Sequence, residues 1–171
     1  AFLQNKQVFE NRKTLINHND TTPDDPIILP EEPVIWMPNH GFKDDPLASV
    51  LSCQRNAYFL FASLPQFYNS FDGITAWLNG VTLINRKVAS SRKSSVENCV
   101  DVLNHGVDLI FYPEGILNKS ANELILDLWP GIYRVAKETG AKVVPIVHYL
   151  RDKGPKTFKN KINPSKDDVI H

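Results

Sequence analysis

Short runs of β-branched and aromatic residues alternate along this chain with longer segments in which apolar residues recur every three or four positions. The runs at 34–37, 57–62, 82–84, 108–112 and 142–147 are predicted strands. Between them, the spacing predicts helices. The segment 94–105 opens with a capping box, Ser94 with Glu97, places Val96, Cys99, Val100 and Leu103 at helical spacing, and stops at Gly106. The segment 130–139 begins with Pro130, sets Ile132, Val135 and Ala136 on one face, and stops at Gly140. Residues 65–78 read as helix interrupted around Gly73, and Asp45 before Pro46 caps a further helix carrying Leu47, Val50 and Leu51. Residues 1–18 read as a weak amphipathic helix and 19–30 as a linker rich in Pro and Asp. Strand alternating with helix predicts an α/β fold, a mostly parallel sheet with crossover helices in a single domain. The expected division is an N-terminal helix and linker over 1–33, the α/β domain over 34–150 and a basic segment over 151–171.

This layout gathers candidate chemistry on one rim. His40, Arg86 and Glu114 each follow the carboxyl end of a predicted strand, and open α/β sheets bind ligands outside those ends. In the run Asn39-His40-Gly41-Phe42-Lys43-Asp44-Asp45-Pro46 a histidine enters a turn ending in carboxylates. Imidazole, with an unperturbed pKa of about 6.5, can take a proton from a hydroxyl, and a carboxylate on its far nitrogen fixes the tautomer and stabilises the imidazolium. Asp45 can serve both imidazole and helix cap, since a carboxylate has two oxygens; Asp44 is the alternative partner. Arg86 offers a planar fork suited to phosphate, with Lys87 adding field; the plainer role is an arginine closing a strand. Glu114 would either hold an acceptor hydroxyl, lock Arg86 in place, or cap a Pro-Glu-Gly turn.

Four runs in order carry a resemblance: His40 to Asp45 with its spacing; Gly80-Val81-Thr82-Leu83-Ile84-Asn85-Arg86; Tyr112-Pro113-Glu114-Gly115 after Phe111; and Val143-Val144-Pro145-Ile146. Together they resemble the blocks of the glycerolipid acyltransferase family, whose members include 1-acylglycerol-3-phosphate acyltransferases. The third block is Phe-Pro-Glu-Gly in the family and begins with Tyr112 here. After Gly115 the family often has Thr and then Arg or Ser, whereas this chain has Ile116-Leu117-Asn118, which leaves the acceptor headgroup less defined than the reaction. The resemblance implies His40 and Asp45 as catalytic residues and Asn85, Arg86, Glu114 and Gly115 as substrate-binding residues. It implies transfer of a fatty acyl group from acyl-CoA or acyl carrier protein to a lysophospholipid hydroxyl, 1-acylglycerol 3-phosphate first, with glycerol 3-phosphate or another lysolipid as alternatives. No bound cofactor is implied; the thioester is a co-substrate. Loop amides around Gly41 or Gly115 are candidates by position for the oxyanion. Family members often extend further at both ends than this chain.

Composition narrows the alternatives. The chain of 171 residues has zero formal net charge, which argues against a nucleic-acid partner. No Gly-x-Ser-x-Gly elbow marks a hydrolase, and neither Gly-x-Gly-x-x-Gly nor a Gly-Lys-Ser/Thr phosphate loop marks a nucleotide site. A thioester hydrolase or a non-catalytic lipid-binding domain would be the rival classes, the latter having no use for His40 with Asp45. Cys53 and Cys99 lie in helical patterns and fit a reducing compartment without disulfides; the histidines lack ligand spacing, so no metal is expected. No apolar run reaches the length of about eighteen residues that a spanning helix needs. Because the acceptor that the resemblance implies is amphiphilic, access is expected through surface association or through segments outside this sequence, with the cytoplasmic face of a membrane as the expected location. Phe67, Tyr68, Phe71 and Trp77, with the basic run Arg86, Lys87, Arg92 and Lys93, are the expected membrane contacts, whereas Phe59 and Phe61 fit the core.

Overall fold

The computed structural model describes residues 29–41, 45–53, 55–62, 64–69, 71–120, 123, 125–147, 149–150 and 169–170. The expected N-terminal helix over 1–18, Asp44, and most of the basic segment over 151–171 lie outside these residues. Five parallel strands, β1 (Val34–Pro38), β2 (Ala57–Phe61), β3 (Val81–Leu83), β4 (Asp108–Ile110) and β5 (Lys142–Ile146), form one sheet in the order β3-β2-β4-β1-β5. Helices α1 (Asp45–Cys53), α2 (Leu64–Asn69), α3 (Phe71–Leu78), α4 (Ala89–Asn104) and α5 (Gly131–Thr139) make the connections. A two-stranded antiparallel ladder, β6 (Tyr149–Leu150) with β7 (Val169–Ile170), was not expected from the sequence.

The period of two along a strand decides which face each side chain joins. On one face Ile35, Leu109 and Phe111 pack with Cys99 and Leu103 of α4 and Ile132 and Val135 of α5. On the other, Val34, Trp36 and Ile110 pack with Cys53 of α1. β1 is therefore covered on both sides and pairs with β4 (Ile35 with Leu109) and β5 (Ile35 with Val143). Pro145 sits in β5, the edge strand beside β1; the next residue, Ile146, turns its carbonyl to the Asn39 N–H, so Pro145 faces the open edge, where its missing N–H costs no ladder bond. At the amino ends of these strands the buried Asp108 carboxylate accepts from the Val34 N–H at 3.0 Å, Trp36 Nε1 at 2.7 Å and Arg55 Nε at 2.9 Å.

Two local expectations are corrected. The helix expected at Ser94 begins at Ala89, with Val88 as an extended N-cap making no side-chain capping bond. Glu97 lies 3.8 Å from Lys93, one turn away, rather than reaching back to a cap. Residues 89–93 contain no helix breaker, so the helix extends through the supposed cap. The interruption expected around Gly73 falls between Asn69 and Phe71, and Gly73 lies inside α3. A Cβ there would come within 1.8 Å of the Phe67 carbonyl oxygen, so this glycine allows α2 and α3 to touch.

Candidate active site

The connections leaving the carboxyl ends of β1, β4 and β3 converge. β1 and β4 are neighbours, which sets His40 beside the turn at 112–115. β3 lies two strand spacings from β4, about 10 Å, and the Arg86 side chain closes that gap across the end of β2.

His40 Nδ1 lies 3.0 Å from Asp45 Oδ2. Because a carboxylate only accepts, Nδ1 carries the proton and Nε2 presents its lone pair. The His40 side chain is 26% exposed and that of Asp45 1%, so the acid is enclosed behind a base that reaches solvent. Asp45 also stands in the first turn of α1, where the helix dipole favours a negative charge. The His40 main chain is gripped on both sides: its N–H donates to Glu114 Oε1 at 2.5 Å, and its carbonyl accepts from the Asn118 N–H at 2.6 Å. The Tyr112 ring lies 4.6 Å from the imidazole, centroid to centroid, and its hydroxyl is 2.8 Å from Ser49 Oγ on α1.

Glu114 has a different place from either role expected of it in substrate binding. It is 1% exposed, with Oε1 on the His40 N–H and Oε2 accepting from the Leu126 N–H at 2.9 Å. No ion pair joins it to Arg86 among the described residues. A buried carboxylate with both oxygens on backbone amides fastens two loops together.

Asn85 Oδ1 accepts from the Lys87 N–H at 3.1 Å, an Asx turn that projects Arg86, and the Asn85 N–H donates to Ser91 Oγ at 2.9 Å. Arg86 is itself steadied by Arg92, whose Nη1 donates to the Arg86 carbonyl at 2.6 Å. Partial burial pulls the Arg86 guanidinium below its ordinary pKa, and it remains a cation on an exposed side chain. Gly115, at φ +67°, is where the second and third blocks meet: a Cβ would stand 2.9 Å from Arg86 Nη1 and 3.2 Å from the Trp129 indole.

Trp129 and Asn118 were missed from the sequence. Trp129 is 60% exposed, with its indole against Gly115 beside the Arg86 guanidinium and its backbone N–H donating to the Pro113 carbonyl at 2.9 Å. It lies just before the helix predicted from Pro130, where nothing in its own segment marks it. Asn118 is fully buried, its Nδ2 donating to the Glu123 carbonyl and its Oδ1 accepting from the Ser120 N–H, which shapes the loop that touches His40. Away from the site, burial pushes the Cys99 thiol up to about 12, leaving it an inert core group. A cleft of about 290 Å³ lined by Pro30, Pro33 and Lys142 opens at the amino ends of β1 and β5 and shares no residue with the site.

Of the expected membrane contacts, Tyr68 and Trp77 are 70% and 67% exposed, joined by Ile74 and Leu78. Phe59 packs into the core face with Tyr112, and Phe61 against Phe67 at 5.9 Å between centroids. Among the described residues no helix is long and apolar enough to cross a membrane.

Residues 10–149 match the family described as Acyltransferase. The chain is 30% identical over 118 residues to a 1-acyl-sn-glycerol-3-phosphate acyltransferase of Chlamydomonas reinhardtii, covering 68% of this chain and 34% of that protein. It is 26% identical over 117 residues to a chloroplastic 1-acyl-sn-glycerol-3-phosphate acyltransferase of Arabidopsis thaliana, covering 68% and 32%. The crystal structure of the 1-acyl-sn-glycerophosphate acyltransferase PlsC of Thermotoga maritima shares the fold, with a TM-score of 0.50 at 20% identity over 74% of this chain and 50% of that one. The chain spans about a third of the length of the two curated relatives.

Proposed function

Because the chain belongs to the acyltransferase family, we propose that it moves a fatty acyl group from an acyl thioester to the free hydroxyl of a lysophospholipid, with 1-acylglycerol 3-phosphate as the acceptor. The observation that carries this reading is the contact at 3.0 Å between His40 Nδ1 and the enclosed Asp45, which leaves Nε2 to act as a base. The acceptor named for the relatives in Chlamydomonas and Arabidopsis is consistent with it.

In this mechanism His40 Nε2 takes the proton of the acceptor hydroxyl as its oxygen attacks the thioester carbonyl carbon. Asp45 stabilises the imidazolium that forms, and positioned proton transfer of this kind is worth about 10² to 10⁴ in rate. The tetrahedral intermediate collapses, the carbon–sulfur bond breaks, and the imidazolium returns its proton to the thiolate. No covalent acyl-enzyme is needed, since a thiol is already a good leaving group. Arg86 takes the acceptor phosphate with its fork, with Lys87 nearby as a second positive charge. Glu114 and Gly115 act one step back: the first holds the His40 backbone, and the second lets the guanidinium lie close to the turn. The donor is an acyl-CoA or acyl carrier protein, and the reaction takes place at a membrane surface reached through the exposed residues Tyr68, Ile74, Trp77 and Leu78 and the basic run from Arg86.

The test is thiol release by the purified chain from acyl-CoA and from acyl carrier protein, with and without lysophosphatidate, with the lipid product identified. Release that depends on lysophosphatidate and yields phosphatidate is expected. Release that ignores the acceptor would make the protein a thioester hydrolase, and lipid binding without release would make it a non-catalytic domain.

A further inference from the structure

We propose that the Tyr112 hydroxyl, tied to Ser49, is a positioning group that sets the distance between His40 and Asp45. The inference rests on the reading of His40 as the base. The two members of the pair belong to separate pieces of structure. The His40 main chain is held by Glu114 and by Asn118, on the stretch that follows β4. Asp45 is in the first turn of α1, and Ser49, fully buried, is one turn further along the same face. Tyr112 directly precedes Pro113 and Glu114, so its 2.8 Å bond to Ser49 links the helix carrying the acid to the turn holding the base.

The same side chain also touches the base, its ring 4.6 Å from the imidazole at an interplanar angle of 38°. Phenylalanine, which the family's third block has at this position, would keep that ring contact and lose the link. The hydroxyl is thus the part of Tyr112 that packing against His40 does not explain. Burial holds it well above the usual phenol range, so it stays protonated and able to donate. Ser49 has no route to solvent in compensation, so each hydroxyl is satisfied through the other. Catalytic pairs tolerate displacements of only about 0.5 Å, and larger misplacements cost up to about a hundredfold in rate.

The experiment is a double-mutant cycle of Tyr112→Phe and Ser49→Ala in the whole chain, read as acceptor-dependent thiol release, with His40→Ala alongside. Each single variant is expected to lower kcat about tenfold with the acceptor KM within about twofold of the parent, and the double variant to be no slower than the slower single one. In proton NMR spectra the Nδ1 proton of His40, sheltered by its bond to Asp45, is expected to exchange faster with water in Tyr112→Phe. The double variant, with both hydroxyls gone, is expected to unfold near the parent's midpoint, so loss of rate there cannot be laid to loss of fold. A Tyr112→Phe protein with parental kcat and parental proton exchange would overturn the proposal, as would losses that multiply across the cycle. If His40→Ala retains acceptor-dependent release, the reading of His40 fails and the proposal fails with it. An inactive His40→Ala beside a Tyr112→Phe protein with parental kcat and parental proton exchange removes the proposal alone.

Discussion

Glu114→Gln separates the role the structure gives this residue from the one its motif suggested. The carboxylate is buried and accepts one backbone N–H on each oxygen, from His40 and from Leu126. A glutamine of the same shape has one oxygen and one amide nitrogen, so in either orientation one of those N–H groups faces another donor. A hydrogen bond to a charged group contributes about 1.5 to 3 kcal/mol, and a buried donor left without a partner costs about 1 to 3 kcal/mol. Relief of the carboxylate's own desolvation offsets part of this, so a net loss of about 2 to 3 kcal/mol is expected. With a urea slope of about 1 to 3 kcal/mol per molar, the unfolding midpoint should fall by about 0.7 to 3 M at unchanged slope. Turnover should fall as well, because the weakened bond positions His40. A variant with the parental midpoint and parental kcat but a raised acceptor KM would refute this reasoning and return Glu114 to the acceptor site.

Three further outcomes follow from named contacts. Arg86→Ala should raise the KM for lysophosphatidate by far more than it changes background thioester hydrolysis, and Arg86→Lys should recover only part of the loss; equal losses with a phosphate-free lysolipid would show a structural role. Asp108→Ala strips the partner from Arg55 and the Trp36 indole and should cost about 3 to 5 kcal/mol in urea unfolding, toward the lower end because the Arg55 side chain is 29% exposed. A loss below 1 kcal/mol would show that this cluster does not hold β1 to β4. Vesicle flotation should strengthen with anionic lipid and weaken with salt, since screening shortens the reach of exposed charges to roughly 8 to 10 Å at physiological strength; binding indifferent to both would discard the basic run as a contact.

The strands were legible because parallel strands covered by helices are short and apolar, and the five expected runs overlap β1 to β5. Helix stops were legible too: Gly140 takes the left-handed conformation expected of it at the end of α5. The start of α4 was not, because Ser94 and Glu97 satisfy a capping pattern equally well in the middle of a helix that runs on from Ala89. Residue spacing gave the separation of His40 from Asp45, and the structure brings them together at 3.0 Å. It could not show that Glu114 faces inward, since a carboxylate in a Pro-Glu-Gly turn has the same sequence whether it meets a substrate or two backbone amides. Trp129 was hidden for a related reason: its neighbours Gly115 and Arg86 are brought to it by the strand order, not by anything within its own segment.

The most direct measurement is acceptor-dependent thiol release by His40→Ala, with folding checked by its urea midpoint. Loss of about 10² to 10⁴ in kcat from a protein that remains folded is the predicted result. Release at the parental rate would contradict the assignment of His40 as the base.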